Sequence, residues 1–359
     1  MHKVSILVPI YNVENYLKEC LDSLLNQTLQ DIEIICINDG SIDSSSAILK
    51  EYSRKDSRIK VINKENSGYG ASMNMGLELA NGEYIGIVES DDFVKKTMFE
   101  DLYKIASKND LDLVKSDFYY YTTYNNCSRQ AGKIKRRTLG KVFSVKDDCR
   151  ILKMMPTIWS SIYRRDFLLE NGIKFLETPG ASYQDTSFAF KTLSAAKRMM
   201  FTNKAYLYYR SDNENSSVKS KGKVFAICDE WEEISRFVNE RPVIKNIVND
   251  IKLSTQFNAY IWNAIRIDSQ YLDEFLERFQ NEFKKYYENN EIKPAFYKKV
   301  KKEELQMLLN DKEAFKVHIK DFVLKQELKE KRQKKFSVRI NTSRISVVLF
   351  GKQVLELGK

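Results

Sequence analysis

Tyr84-Ile85-Gly86-Ile87-Val88-Glu89-Ser90-Asp91-Asp92 runs from an apolar stretch straight into three carboxylates. A short apolar run bounded by turn residues reads as a strand buried on both faces, the kind found in helix-covered parallel sheets. Three carboxylates at the end of such a strand are expensive unless a cation or hydrogen bonds compensate. Hard oxygen ligands of this kind suit Mg²⁺ or Mn²⁺ holding a diphosphate. The alternative is an ordinary helix N-cap, since Asp and Ser favour that position and the helix dipole favours acids there.

Outward from this stretch the chain alternates strand and helix. Residues 4–10 form an apolar run, and Leu17, Cys20, Leu21, Leu24 and Leu25 then share one helical face. Residues 32–37 are a second apolar run, followed by a polar loop and a Ser-capped helix. Residues 59–62 predict a third strand, 71–80 a third helix, Asn81-Gly82 a turn and 84–88 the fourth strand. This order specifies an α/β fold, a mostly parallel sheet with helices on both faces and right-handed crossovers. Ligands of such sheets bind beyond the carboxyl ends of the strands. The four segments found there are Pro9-Ile10-Tyr11-Asn12, Asn38-Asp39-Gly40-Ser41-Ile42-Asp43, Lys64-Glu65-Asn66-Ser67-Gly68-Tyr69-Gly70 and Glu89-Ser90-Asp91-Asp92.

Composition narrows the chemistry. A chain of 359 residues with 43% apolar content buries a sizeable core and divides into two or more domains. Two histidines, His2 and His318, leave no room for Ser-His-Asp, Cys-His or HExxH catalysis. Five cysteines without a CxxC pair fit a reducing compartment, and the absence of a basic n-region or a long apolar run predicts a cytoplasmic protein. The Gly68 loop is neither GxGxxG nor a Walker sequence, and the first turn carries Pro9-Ile10-Tyr11-Asn12 in place of glycines, which excludes a dinucleotide oxidoreductase. The net charge of +10 is local: 20 Lys and Arg face 11 Asp and Glu beyond residue 280. That points to an anionic surface, such as a membrane face, and away from nucleic acid. A solvated helix face is the plainer reading of the runs at 298–302 and 329–335.

Taken together, Ser5-Ile6-Leu7-Val8-Pro9-Ile10-Tyr11-Asn12, Asn38-Asp39-Gly40-Ser41-Ile42-Asp43-Ser44-Ser45, Asn66-x-Gly68 with Asn74-x-Gly76, and Glu89-Ser90-Asp91-Asp92 resemble the family 2 glycosyltransferases of GT-A fold. Trp159 to Leu168, followed by Gln184-Asp185-x-x-Phe188, is similar to the acceptor half of bacterial polysaccharide members, so the resemblance covers roughly residues 3–215. It implies a GT-A domain over 1–222, with a nucleotide-sugar half at 1–115 and an acceptor half at 116–222. A helical region over 223–335, basic from about 281, and a small β-hairpin or tail at 336–359 follow.

The resemblance also implies roles. Glu89-Ser90-Asp91 takes the place of the DxD element, with Asp91 the ligand of Mn²⁺ or Mg²⁺ and Glu89 near the ribose or the metal's water. Pro9, Tyr11 and Glu14 lie against the base, Asp39 bonds uracil or ribose, and Lys64 and Gly68 lie near the phosphates. Met73 stands where many relatives carry arginine. Asp185 is the general base of an inverting transfer from a UDP-sugar to a glycan or lipid-linked glycan acceptor, or simply caps its helix. Trp159, with Tyr206, Tyr208 and Tyr209, can stack on sugar or pack in the core. Arg210 with Ser216 can close over the diphosphate or form a solvated loop. A catalytically inactive homologue, acting as a sugar-nucleotide- or glycan-binding subunit of a glycan assembly complex, is the alternative that Glu89 and Met73 leave open.

Overall fold

The computed structural model describes residues 2–213, 223–298, 300–341, 344–349 and 352–358, with side chains described through 325 and at 328. Strands β1 (Val4–Ile10) and β2 (Ile32–Asp39) are buried at every position. Because successive side chains point to opposite faces, such burial requires cover on both. Helix α1 (Glu14–Leu25) buries Leu17, Cys20, Leu21 and Leu24, the face its periodicity predicts. Helix α2 (Ser45–Lys55) precedes β3 (Ile59–Lys64), and α3 (Tyr69–Leu79) precedes β4 (Tyr84–Ile87). A Cβ on Gly76 of α3 would meet Ile37 and Leu7 at 3.1 Å, so that helix lies directly on β1 and β2.

The Glu89–Asp92 stretch does not start a helix. Asp92 N–H donates to the Glu89 carbonyl at 3.0 Å, closing a turn, and the two-residue strand β5 (Phe93–Val94) follows. Then come α4 (Met98–Asn109), β6 (Leu113–Thr122), β7 (Cys127–Gln130), β8 (Ser161–Arg164), α5 (Arg165–Glu170), α6 (Gln184–Ala195) and β9 (Met199–Arg210). The nine strands form one mixed sheet in the order β3-β2-β1-β4-β8-β6-β9-β5, with β7 on β6. Parallel pairing runs from β3 to β4; β8 pairs antiparallel with both β4 and β6, and β6 with β9 is parallel again. Residues 116–210 therefore extend the sheet of the first half.

The chain divides into two compact units at Gln256/Phe257, where sequence had set the boundary near 222. Helix α7 (Ala226–Asn239) belongs to the first unit because it packs on α6: Lys191 Nζ donates to Glu233 Oε1 at 2.8 Å, and Phe190 meets Trp231 edge-on at 5.8 Å. Helix α8 (Pro242–Ala264) crosses the boundary. The second unit contains α9 (Leu272–Glu288), α10 (Lys302–Asn310) and α11 (Lys312–Lys335) around rings of Phe257, Phe279, Phe283 and Phe296. Trp262 stays 40% exposed beneath Arg266. The expected terminal hairpin is a three-stranded antiparallel sheet, β10 (Phe336–Asn341), β11 (Arg344–Leu349) and β12 (Lys352–Gly358). Among the described residues no helix is long and apolar enough to cross a membrane.

Candidate active site

The first two loops are stitched together. Asn12, at φ 52°, accepts from the Ile42 amide at 2.9 Å through Oδ1, while its own amide donates to Ser41 Oγ. Asp43 accepts from the Glu14 amide, and Glu14 Oε2 accepts from the Ser44 amide at 2.8 Å. Glu14 is thus a loop tie; Tyr11, 51% exposed, stands open beside it and Pro9 is buried within β1.

Asp39 is buried at the end of β2 and fully engaged. Its oxygens accept from the amides of Ser67 and Gly68, each at 2.9 Å, and pair with Lys64 Nζ. Lys64 also donates to the Glu65 carbonyl at 2.9 Å. The glycines of this loop serve close packing: a Cβ on Gly68 would lie 2.9 Å from Thr178 O and one on Gly70 only 2.1 Å from Leu176 O. Tyr69 N–H donates to Gly180 O at 3.0 Å. Asn74 holds the same segment, accepting from Phe175 N–H at 2.8 Å and donating to Glu177 Oε1 at 2.8 Å. Met73 is fully buried, so its side chain belongs to the core.

That clamped segment leads into α6, whose second residue is Asp185. The helix starts at Gln184, after Tyr183 at φ 61°, so Asp185 lies inside the first turn and is not its N-cap residue. Burial pushes its carboxyl up to about 6, against the pull of the Thr186 amide. Glu89 accepts from the Tyr69 hydroxyl at 2.7 Å, yet burial and the charges of Asp91 and Asp185 push it up to about 8. Asp92, 1% exposed, accepts from Arg210 N–H at 2.8 Å through one oxygen; the other is buried without a hydrogen bond. Its carboxyl is held well above the usual range by burial and by Asp91. Ser90 is buried in the same turn. Asp91 accepts from Asn213 Nδ2 at 2.8 Å. Asp91 and Asp185 thus act on Glu89, and Asp91 and Glu89 on Asp92, at the carboxyl edge of the sheet. Among the described residues no three His, Cys, Asp or Glu side chains are gathered as a ready metal cage. The unsatisfied Asp92 oxygen and the mutual repulsion nonetheless suit a hard cation held by Asp91 and completed by other oxygens.

Arg210, 3% exposed, is a strut for the acidic turn. Its Nε donates to Asp91 O at 2.8 Å, another nitrogen pairs with Glu19 at 2.5 Å, and its guanidinium lies 4.8 Å over Tyr16. Ser216, its suggested partner, lies outside the described residues. Trp159 is buried, stacked on Tyr209 with centroids 5.4 Å apart and edge-on to Phe118 at 4.8 Å. Tyr206 donates to Asp101 at 2.8 Å and Tyr208 stacks between Phe93 and Tyr119, so both serve packing. Sequence reasoning passed over Tyr69 and Asn213; the polar string Ser211-Asp212-Asn213 at the end of β9 was the available signal.

Comparison with known proteins supplies the family. The family model for glycosyl transferase family 2 matches residues 5–172. An uncharacterized glycosyltransferase of Haemophilus influenzae is 30% identical over 213 residues, covering 58% of this chain and 80% of that protein. The chain belongs to glycosyl transferase family 2. EpsJ of Bacillus subtilis, an uncharacterized glycosyltransferase, is 35% identical over 223 residues, covering 59% of this chain. The match spans 62% of EpsJ, under two thirds of its length. The fold of S. aureus TarS superposes with a TM-score of 0.68 at 20% identity over 96% of each chain.

Proposed function

We propose that this chain is an inverting glycosyltransferase that moves a hexosyl or N-acetylhexosaminyl unit from a UDP-sugar to a cell-surface glycan or lipid-linked glycan. The observation that carries the reading is the tie between the Glu89–Asp92 turn and the segment leading to Asp185: Tyr69 donates its hydroxyl to Glu89 at 2.7 Å and its N–H to Gly180 O at 3.0 Å. TarS, whose fold the chain shares, has been solved in complex with UDP-GlcNAc.

In this reading the donor's uracil lies by Tyr11 and Pro9, and Asp39 and Lys64 keep the loop beneath it closed. Asp91 would hold Mg²⁺ or Mn²⁺, which when bound neutralises charge on the departing diphosphate. Asp185 accepts the proton of the acceptor hydroxyl as that oxygen bonds to the anomeric carbon and the bond to UDP breaks. Attack opposite the leaving group turns an α-linked donor into a β-linked product. A raised carboxyl is a better proton acceptor than a solvent-exposed one and is still mostly ionised at neutral pH. Trp159 shapes the acceptor side through Tyr209, whose hydroxyl is raised by burial and then by Asp92, Asp91 and Asp185.

The second unit supports attachment to an anionic bilayer from the cytoplasmic side. Lys302, Lys320 and Lys325 are exposed on its helices, each worth about 1 kcal/mol near such a surface. The test of the activity is UDP release from a panel of UDP-sugars with Mn²⁺, with the product's anomeric configuration read by NMR. A product retaining the donor's α-configuration would exclude this mechanism.

A further inference from the structure

Helix α7 lies beyond the stretch matched by the family model, yet it reaches into the turn that carries Asp185. Its Glu230 is fully buried, and Glu230 Oε2 accepts the Ser187 backbone N–H at 3.0 Å. Ser187 stands two residues after Asp185 in the first turns of α6, where backbone N–H groups lack partners within the helix or have just gained them. One turn later Lys191 Nζ pairs with Glu233 of α7 at 2.8 Å and also donates to Lys174 O at 2.6 Å. Thus α7 grips α6 at two levels, and the lower grip is a carboxyl beside the base.

We propose that Glu230 is a positioning residue for Asp185, fixing the height and direction of the Asp185 carboxyl by bonding the turn that bears it. The inference rests on the reading of Asp185 as the base. A hydrophobic contact would serve if α7 only had to cover α6, and the surroundings are apolar enough to make a carboxyl costly. Glu230 Oε1 is buried without a hydrogen bond, as is Ser187 Oγ, so the group is retained at a cost that packing does not explain. Burial pushes Glu230 up to about 8 against the pull of Ser187, with Asp185 adding to the rise and Lys191 opposing it. At neutral pH it is therefore largely an uncharged acid. It holds the turn without placing a second full negative charge beside Asp185.

Three variants test this. Glu230→Gln keeps an oxygen acceptor for Ser187 N–H at the same length; Glu230→Asp shortens the arm; Glu230→Ala removes it. UDP release from UDP-GlcNAc, UDP-glucose and UDP-galactose with Mn²⁺ should retain kcat within about threefold in Glu230→Gln and lose about tenfold or more in Glu230→Ala and Glu230→Asp, with KM little changed. In Asp185→Asn, adding Glu230→Ala should cost nothing further, because both act through one group. Wild-type kcat in Glu230→Ala, alongside a crippled Asp185→Asn, would overturn the proposal and leave the base reading intact. Full kcat in Asp185→Asn would overturn the base reading itself, and this proposal with it. A readout free of any donor is the carboxyl-carbon titration of Asp185 by NMR. Its midpoint should stay near 6 in Glu230→Gln and fall in Glu230→Asp, where the turn opens to water. Equal midpoints in wild type and both variants would refute positioning even if Glu230→Ala fails to fold.

Discussion

Gly70→Ala has two opposed consequences, and the structure decides which wins. Gly70 lies in α3 with an ordinary helical backbone, where alanine is favoured by about 1 kcal/mol. Against that, the new Cβ would sit 2.1 Å from Leu176 O and 2.9 Å from Leu176 C, so backbone must retreat by more than about 1 Å. Overpacking of this kind costs about 1–3 kcal/mol. The retreat also stretches the Tyr69 N–H bond to Gly180 O and the Asn74 bonds to 175–177, each worth about 1 kcal/mol. With those three bonds lost, the net expectation is a loss of about 3–5 kcal/mol, read as a lower urea midpoint at unchanged slope. Gly76→Ala in the same helix is the control. Its Cβ would meet only the methyl ends of Ile37 and Leu7 at 3.1–3.2 Å, which can yield by a few tenths of an ångström, so stability should stay within about 0.5 kcal/mol. A Gly70→Ala protein as stable as wild type would refute the close approach of the 176–180 segment, and with it the account of how Asp185 is carried to the sheet edge.

Other outcomes follow from the site. Asp91→Asn should abolish Mn²⁺-dependent UDP binding by calorimetry while leaving metal-free UDP binding and the thermal midpoint near wild type. Asp185→Asn should lower turnover by about 10²-fold or more with UDP binding unchanged. Wild-type kcat should rise with pH through about 6, as Asp185 ionises. The stability of the same carboxyl has a definite sign. Its folded pKa lies above the unfolded value, so ionisation favours the unfolded chain, and stability is lost as pH rises from about 4 to about 6. Asp185→Asn should therefore melt higher than wild type at pH 7 and level with it at pH 3. Replacing Lys302, Lys320 and Lys325 by serine should weaken sedimentation with anionic liposomes, as should 1 M salt, where screening acts over ~3 Å; unchanged sedimentation would leave these lysines as a solvated face.

The framework was legible because its signals are local. A short apolar run bounded by turn residues reads as a buried strand, and the spacing of Leu17, Cys20, Leu21 and Leu24 fixes one face of a helix. What escaped were contacts between residues far apart in sequence. The Gly68 loop resembles a phosphate cradle, and only the arrival of residues 176–180 shows why it must lack side chains. Arg210 reads from sequence as a diphosphate clamp or part of a solvated loop because its partners Glu19 and Asp91 are about 190 and 120 residues away. The helical pattern of 226–239 announced a helix and could not say that α6 would be its partner. Ion pairs and edge-on rings that decide such docking have no period.

Glu33 at the amino edge and the acids of the 89–92 turn at the carboxyl edge are treated oppositely, and that contrast argues for where the chemistry lies. At the amino edge Glu33 is fully buried, and burial would raise its carboxyl. Lys60 Nζ at 2.6 Å, the Ser5 hydroxyl and the Asn81 amide at 2.7 Å outweigh that, and the carboxyl is held below its ordinary value. At the carboxyl edge Asp92 has one amide, Glu89 one tyrosine hydroxyl, and both are held above theirs. A lysine does reach that edge, where Lys64 pairs with Asp39, yet among the described residues none pairs with Glu89 or Asp92. Leaving the acids short of donors costs stability in the free protein, and in the proposed reading that cost would be recovered when a cationic centre or a proton-bearing substrate arrives. A carboxylate satisfied in the fold has nothing left to offer a ligand; these have.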